Sequence, residues 1–390
     1  MDFAFTPEQE AFRAEVRRFL EGEIKLGSFA PGCDAWIIGH SPEFSRKIAA
    51  KGWIGLVWPK EYGGQGKTYI DRLVLTEELL RYGAPVASHW FSDRQMGTAI
   101  LAYGTPEQKA ELLPRIIRAE IFFGIGMSEP GAGSDLASLQ CRAQEQDDCY
   151  VLNGQKVWTS GAHAFTHLYL VARTDPDAPK HKGISELIVP MDLPGITINP
   201  IVDLTGHKHF NEVFFDNVRL PKKYLVGQKN RGWYQIASQL DFERSGIERL
   251  MSNYALFQSL FEYARQTRRD GRPLSQDPII RHRLAQLAIE FEVGRLLIYR
   301  VACVLSQGKA PNFEAALAKT FCTHFEQKLA CEATQILGHY GTLLASSRRV
   351  PFSGYATSSY LFSPGYTIQG GTSEILKNIV ALRGLGLPSE

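Results

Sequence analysis

No CxxC pair occurs among the six cysteines, Cys33, Cys141, Cys149, Cys303, Cys322 and Cys331. The usual zinc-ligand and disulfide-framework spacings are therefore missing, and reduced, mostly buried thiols with no metal site are expected. The N-terminal stretch MDFAFTPEQEAFRAEVRRFL mixes acidic with basic residues and has no apolar core of the kind a signal peptide needs. No run reaches the roughly 18 apolar residues of a membrane span, so no membrane partner is expected and a cytoplasmic location is the default. An excess of either charge is absent too: 43 Lys and Arg face 41 Asp and Glu, a net +2. That leaves no electrostatic reason to expect nucleic acid or an anionic membrane as a partner. Internal repeats, charge blocks and low-complexity segments are likewise missing. What is present is a chain of 390 residues, 44% hydrophobic and 22% charged, near the averages of folded soluble proteins. At roughly 150 residues per domain this is two to three domains, with room for a large core.

The first 120 residues carry helical spacing. Thr6, with Pro7 next to it and Gln9 three residues on, forms a capping box, and Phe12, Val16, Phe19 and Leu20 follow on one face. Similar stretches lie around residues 43 to 56, 71 to 82 and 107 to 119, separated by breakers such as Trp58-Pro59 and Tyr62-Gly63-Gly64. From 121 to 227 the pattern changes to short β-branched and aromatic runs, including Ile121 to Ile125, Leu168 to Val171, Leu187 to Val189 and Val213 to Phe215. Within it, the Asn153-Gly154 pair between apolar flanks predicts a hairpin over residues 151 to 157. After 228 helical stripes return: Ile247, Leu250, Met251, Tyr254 and Phe261; Leu284, Leu287, Ala288 and Phe291; Phe313, Leu317, Thr320 and Phe321. The expected architecture is α+β: an N-terminal helical domain over 1–120, a middle domain of short strands closed as a small β-barrel or sandwich over 121–227, and a C-terminal helical bundle over 228–390.

Three segments are richer in glycine and small polar residues than a scaffold requires. In MSEPGAGSD, Met127 to Asp135, glycines let the backbone approach a ligand while Ser128 and Ser134 offer hydroxyls. In NGQKVWTSG, Asn153 to Gly161, Trp158 stands directly before the hydroxyls of Thr159 and Ser160. That combination suits a flat heteroaromatic ring, although a tryptophan in a small barrel is more often core. In IQGGTSEILKNIVALRGLGLP, Ile368 to Pro388, Gly370-Gly371-Thr372 ahead of a helix offers free amides to an anion or a carbonyl, or simply an N-cap.

Taken together, in this order and spacing, the three segments resemble the flavin-dependent acyl-CoA dehydrogenase family over essentially the whole chain. The resemblance implies the same helix, barrel, helix-bundle fold, the bundle being of four helices. It also implies non-covalent FAD, removal of the α-proton of an acyl-CoA thioester by a glutamate, β-hydride transfer to the flavin, and an electron-transferring flavoprotein as electron acceptor. Carried over by position, it puts Met127 and Ser128 at the isoalloxazine edge, Trp158, Thr159 and Ser160 on the flavin ring, and Ser134 near the acyl-CoA chain. Gly371, Thr372 and Glu374 fall where the family contacts FAD, and the amide of Gly370 falls where the thioester carbonyl is held.

Many members carry the catalytic base at the position occupied here by Gly370, which has no side chain. A second branch of the family places it on a helix near the start of the C-terminal domain, before an arginine, and LDFERSGIE matches with Glu243 ahead of Arg244. Glu243 is the expected base, with Glu248 the next carboxylate, and Asp241 and Arg244 are expected to hold CoA and organise the pocket. QTRRDGRPLSQDP lacks the Arg-x-x-Phe-Gly spacing that grips the FAD pyrophosphate of a neighbouring subunit, leaving Arg268 and Arg269 as substitutes, while Gln335 and Gly338 match the second half of that site. Ser363-Pro364 stands where an arginine is common. A homodimer, homotetramer or heterotetramer follows from the shared site. Glycine at 370 vacates volume beside the reacting carbons, and the GGTSEI motif resembles dehydrogenases of steroid side chains, so a bulky branched, alicyclic or steroid-derived thioester is expected. The competing readings are a flavin-poor partner subunit and a same-fold flavin monooxygenase.

Overall fold

The computed structural model describes the backbone of residues 4–388 and the side chains among them except those of 238 and 240–243. In chain order its main helices are α1 (Pro7–Lys25), α2 (Pro42–Ala50), α3 (Tyr69–Arg81), α4 (Ala87–Phe91), α5 (Gly97–Tyr103) and α6 (Pro106–Ile117). Strands β1 (Phe123–Gly126), β2 (Arg142–Glu145), β3 (Cys149–Lys156), β4 (His167–Arg173), β5 (Ile184–Pro190), β6 (Ile196–Ile201), β7 (Phe210–Pro221) and β8 (Leu225–Val226) follow. Then come α7 (Gly232–Glu243), α8 (Glu248–Met251), α9 (Tyr254–Gln266), the short hairpin of β9 (Arg268–Arg269) and β10 (Arg272–Pro273), α10 (Pro278–Ser306), α11 (Asn312–Leu337), α12 (Tyr355–Phe362) and α13 (Ser373–Ile379). The helical, β and helical succession is the one the sequence pattern predicts. No helix among the described residues is long and apolar enough to cross a membrane.

The chain condenses into two compact units, one of Met1–Trp36, Thr68–Ala84 and Arg244–Glu390, the other of Ile37–Lys67 and Pro85–Glu243. In the first, the predicted capping box opens α1, with the Thr6 side chain accepting from the Gln9 amide. Arg13 on α1 then donates to the buried carboxylates of Glu77 and Glu78 on α3, at 2.7 Å each, and Arg295 on α10 donates to Glu77 at 2.6 Å. Burial alone would raise the Glu77 carboxyl, but Arg295 and Arg13 overcome it and hold it below the usual range. Removing one partner from such a buried set typically costs about 3–5 kcal/mol, so this network ties the N-terminal helices to the C-terminal ones.

One predicted stripe is on the wrong side of its helix. On α11 the buried face is Ala315, Ala318, Lys319, Cys322, Phe325, Glu326 and Leu329, whereas Phe313, Thr320 and Phe321 are only half-buried and Leu317 is exposed. Close packing selects small side chains on the core side, and the large apolar residues that dominate a sequence pattern sit outside.

In the second unit the sheet order is β6-β7-β3-β2-β4-β5-β8, with β1 parallel to β4. Its inward residues, among them Tyr150, Leu152, Leu168, Leu170, Leu187, Val189, Val213 and Leu220, form one core. The predicted hairpin at Asn153-Gly154 is absent: β3 runs straight through the pair, in register with β7 on either side of a bulge between Leu152 and Gly154. A Cβ on Gly154 would stand 2.7 Å from the Cα of Cys141, and its φ is +141°, so glycine here permits a close approach of the backbone leading into β2. The Asn153 side chain accepts from the Asn217 amide at 2.9 Å across the bulge. The six cysteines are free, but only Cys141, Cys149 and Cys322 are fully buried, fewer than expected.

Candidate functional site

The site residues read from the sequence divide between the two units. In the β-containing unit, Met127 packs on Ala132, Leu139, Val171, Ile184 and Ile236, and Ser128 accepts through its carbonyl from the Val157 amide at 2.9 Å. The loop they open is pinned from below. Glu129 accepts from the amides of Gln140 and Cys141 and from Lys156 Nζ at 2.7 Å, and Lys156 donates also to the Met127 carbonyl at 2.9 Å. Both side chains of that pair are buried. Ser134, further along, is exposed.

The pinned loop adjoins the Trp158-Thr159-Ser160 turn. Trp158 is 58% exposed and has φ +60°, so it is not the core tryptophan that composition favours. A bulky residue held in the left-handed region and left facing outward is a strained conformation of the sort found where ligands bind. Thr159 is the opposite: it is 1% exposed, and among the described residues its hydroxyl has no hydrogen-bond partner. Asn211, fully buried at the start of β7, donates to the carbonyls of Thr159 and His209 at 3.0 and 3.1 Å, and Thr159 returns a bond to the Asn211 carbonyl. The turn is therefore fastened through its backbone while its one buried hydroxyl stays unpaired among the described residues. His40 and His209 flank this region, and burial lowers each imidazole to about 4, leaving both neutral at ordinary pH.

Helix α7 ends at Glu243, and the side chains of Asp241 and Glu243 lie outside the described residues. The helix is anchored by Glu186 of β5, which is wholly buried and accepts from Tyr169 Oη at 3.0 Å, Gln235 Nε2 at 2.6 Å and Gln239 Nε2 at 3.0 Å. Gln235 and Gln239 are four residues apart, so both anchors lie on one face of α7. Burial pushes the Glu186 carboxyl up to about 7.

In the helical unit, Gly370 and Gly371 both have positive φ, +65° and +97°. Arg244, itself buried, donates through Nε to the Gly370 carbonyl at 3.1 Å, and Lys319 donates to the Gly371 carbonyl at 2.9 Å. Thr372 caps the seven-residue α13 by accepting from the Ile375 amide, as a plain N-cap would, and Glu374 is exposed. Among the described residues the amides of Gly370, Gly371 and Thr372 donate to nothing, and the buried Nε2 of Gln369 also has no partner. A run of unspent donors backed by two cations is suited to receive a carbonyl or an anion.

Away from this loop, Arg268 is exposed on its hairpin and donates to the Gly271 carbonyl at 3.0 Å. Gln335 accepts from Arg283 at 2.7 Å, and Gly338 ends α11 with φ +59°. Glu248 is buried on α8. Among the described residues no group of three His, Cys, Asp or Glu could hold a metal ion. Sequence reasoning missed Lys156, Glu186, Asn211 and Lys319. Only Lys319 leaves a readable mark, a lysine within the Ala-rich core face of AALAKTFC.

Comparison with known proteins matches three family models in succession: acyl-CoA dehydrogenase N-terminal domain over residues 6–120, middle domain over 124–218 and C-terminal domain over 230–385. The chain is 35% identical over 388 residues to acyl-CoA dehydrogenase IpdE1 of Mycobacterium tuberculosis, covering 98% of both. It is 31% identical to glutaryl-CoA dehydrogenase of Desulfococcus multivorans, covering 99% of both. Among solved structures, the Tcur3481-Tcur3483 steroid ACAD superposes with a TM-score of 0.90 at 32% identity over the full length of both chains. The ChsE4-ChsE5 complex from Mycobacterium tuberculosis gives 0.87 at 34% identity, again over both full lengths.

Proposed function

Because this chain belongs to the acyl-CoA dehydrogenase family, and is thus an oxidoreductase acting on acyl-CoA, we propose that it carries out FAD-dependent α,β-dehydrogenation of a bulky acyl-CoA thioester. The observation that carries this reading is the Gly370–Thr372 loop: three unspent amides, two carbonyls held by buried cations, and no side chain at 370. Of those donors, the Gly370 amide receives the thioester carbonyl and stabilises the enolate-like charge that develops on its oxygen. With no carboxylate at 370, Glu243 takes the α-proton, and Asp241 and Arg244 organise the CoA side of the pocket.

FAD, when bound, supplies the acceptor for the β-hydride. Within the β-containing unit the residues present fit it, with the orphaned hydroxyl of Thr159 and the outward Trp158 in the same turn as Ser160 and next to the loop of Met127 and Ser128; in the helical unit, Gly371, Thr372 and Glu374 are the FAD contacts that family membership suggests. Arg268, Gln335 and Gly338 serve the FAD of a neighbouring subunit in a dimer or tetramer. An electron-transferring flavoprotein would be the acceptor of the electrons that bound FAD takes up, and a cytoplasmic setting suits the reading.

Glu243→Gln tests the assignment. The variant is expected to keep its FAD and its yellow colour but to lose flavin bleaching by substrate about 10² to 10⁴-fold. Undiminished bleaching transfers the role to Glu248. For the acyl group, glycine at 370 and the steroid ACAD among the structural relatives support a bulky thioester. The measurement is kcat/KM for cyclohexanecarboxyl-, branched and steroid-side-chain thioesters against butyryl- and octanoyl-CoA. A tenfold advantage of a straight chain, about 1.4 kcal/mol, rejects the bulky substrate. A second reading, a flavin-poor subunit of a heteromeric dehydrogenase, draws support from the bond of Arg268 to the Gly271 carbonyl of its own hairpin. Its test is the flavin content of the purified chain, for which the principal reading expects bound FAD.

A further inference from the structure

We propose that Lys319 is a positioning residue for the thioester-activating loop, acting through the Gly371 carbonyl. This inference rests on the dehydrogenase reading given above. Lys319 lies on the core face of α11, 1% exposed, among Ala315, Ala316, Ala318 and Cys322. Burying an ammonium group in such surroundings is costly unless it is fully engaged. Its Nζ reaches across to donate to the Gly371 carbonyl at 2.9 Å and, more weakly, to the Tyr366 carbonyl at 3.5 Å. Both acceptors belong to the segment leading into and through the Gly-Gly turn.

In a trans peptide the carbonyl and the following N–H point in opposite directions. A cation fastened to the Gly371 carbonyl therefore turns the Thr372 N–H away from α11. Arg244 does the same to the preceding peptide, directing the Gly371 N–H away from itself. The effect is steric as well as electrostatic. A Cβ on Gly371 would stand 3.1 Å from Arg244 Nη2, and both glycines have φ values that other residues rarely adopt. Without the two cations the turn has few restraints, because glycine adopts many conformations. With them, the two peptides after Gly370 are fixed in orientation, and the amides of Gly370, Gly371 and Thr372 donate to nothing among the described residues. Polarising a peptide at its oxygen strengthens its N–H as a donor. Lys319 thus fixes the Gly371–Thr372 peptide that follows the Gly370 amide, and so holds in place the loop that presents that amide to the thioester oxygen before substrate arrives.

The test uses full-length, FAD-loaded enzyme and three variants, Lys319→Met, Lys319→Gln and Lys319→Arg. The probe is cyclohexenecarboxyl-CoA, an enoyl thioester that needs no oxidation, labelled with ¹³C at the carbonyl. Infrared difference spectra report how far the bound carbonyl is polarised. The wild type is expected to lower the carbonyl frequency, Lys319→Met to lose half of that shift or more, Lys319→Gln to fall between them, and Lys319→Arg to restore it. In turnover, Lys319→Met is expected to lower kcat about tenfold to a hundredfold while KM changes less than about threefold. A full wild-type shift in folded Lys319→Met overturns the inference and leaves the parent reading intact. Failure of both neutral variants to fold, with Lys319→Arg folded, also overturns it, since the loop and not the fold is held to depend on the cation. A wild-type enzyme that leaves the carbonyl at its free frequency removes the dehydrogenase reading and this inference together.

Discussion

Thr159 shows how a single residue can be recognised as serving a ligand. A buried hydroxyl without a partner costs roughly 1–3 kcal/mol, and the Thr159 hydroxyl has none among the described residues. Replacing it by valine should therefore leave the FAD-free protein as stable or slightly more stable, while weakening FAD by about tenfold, the worth of one net hydrogen bond. Thermal melts of the two apo forms and a flavin titration check both halves. A loss of apo stability with unchanged flavin affinity would make Thr159 structural. The WTSG turn was legible as a candidate because an indole beside two hydroxyls suits a flat ring. The left-handed φ of Trp158 and the clamp from Asn211 were not legible, because the first depends on the turn's closure and the second on a strand more than 50 residues away.

Elements position these residues through buried polar contacts that sequence periodicity does not see. Glu186, Gln235 and Gln239 look like ordinary surface residues in a sequence, yet they join β5 to α7 in the interior. Their effect is expected in the pH dependence. Because burial raises the Glu186 carboxyl to about 7, the folded state binds its proton more tightly than the unfolded one. Stability from this group is present below about pH 4.5 and is lost as pH rises to about 7, by about 3 kcal/mol in all. Glu186→Gln should remove that part of the slope, so wild-type and variant melting temperatures should diverge between pH 5 and 8 in the variant's favour. Parallel curves would show that the three donors keep the carboxylate charged at little cost. Helix positions, strand runs and caps were otherwise readable, since 3.6-residue and two-residue periods and the Thr6 box are local. The Asn153-Gly154 turn and the face of α11 misled because a bulge against β7 and a small-residue packing face are set by neighbours in space.

At the scale of the molecule, one face of the 29-residue helix α10 has no counterpart among the described residues. Ile289, Val293 and Leu296 of α10 follow one another at spacings of four and three, on a single side, and are 60%, 40% and 52% exposed. An apolar stripe of this kind on a long helix marks an association surface more often than a solvent face. If Arg268, Gln335 and Gly338 contact the FAD of a neighbour, assembly and flavin content must be coupled. The wild type should behave in light scattering as a dimer or a dimer of dimers with bound FAD. The double variant Ile289→Glu, Leu296→Glu should dissociate into smaller species, because each buried apolar side chain contributes about 1.5–3 kcal/mol and the new like charges would face each other. That is a loss of more than a hundredfold in association. The same variant should release FAD on dilution while its far-ultraviolet circular dichroism stays that of the folded chain. A double variant of unchanged mass would assign assembly to another face, and a wild-type monomer replete with flavin would rule out a cross-subunit role for Arg268.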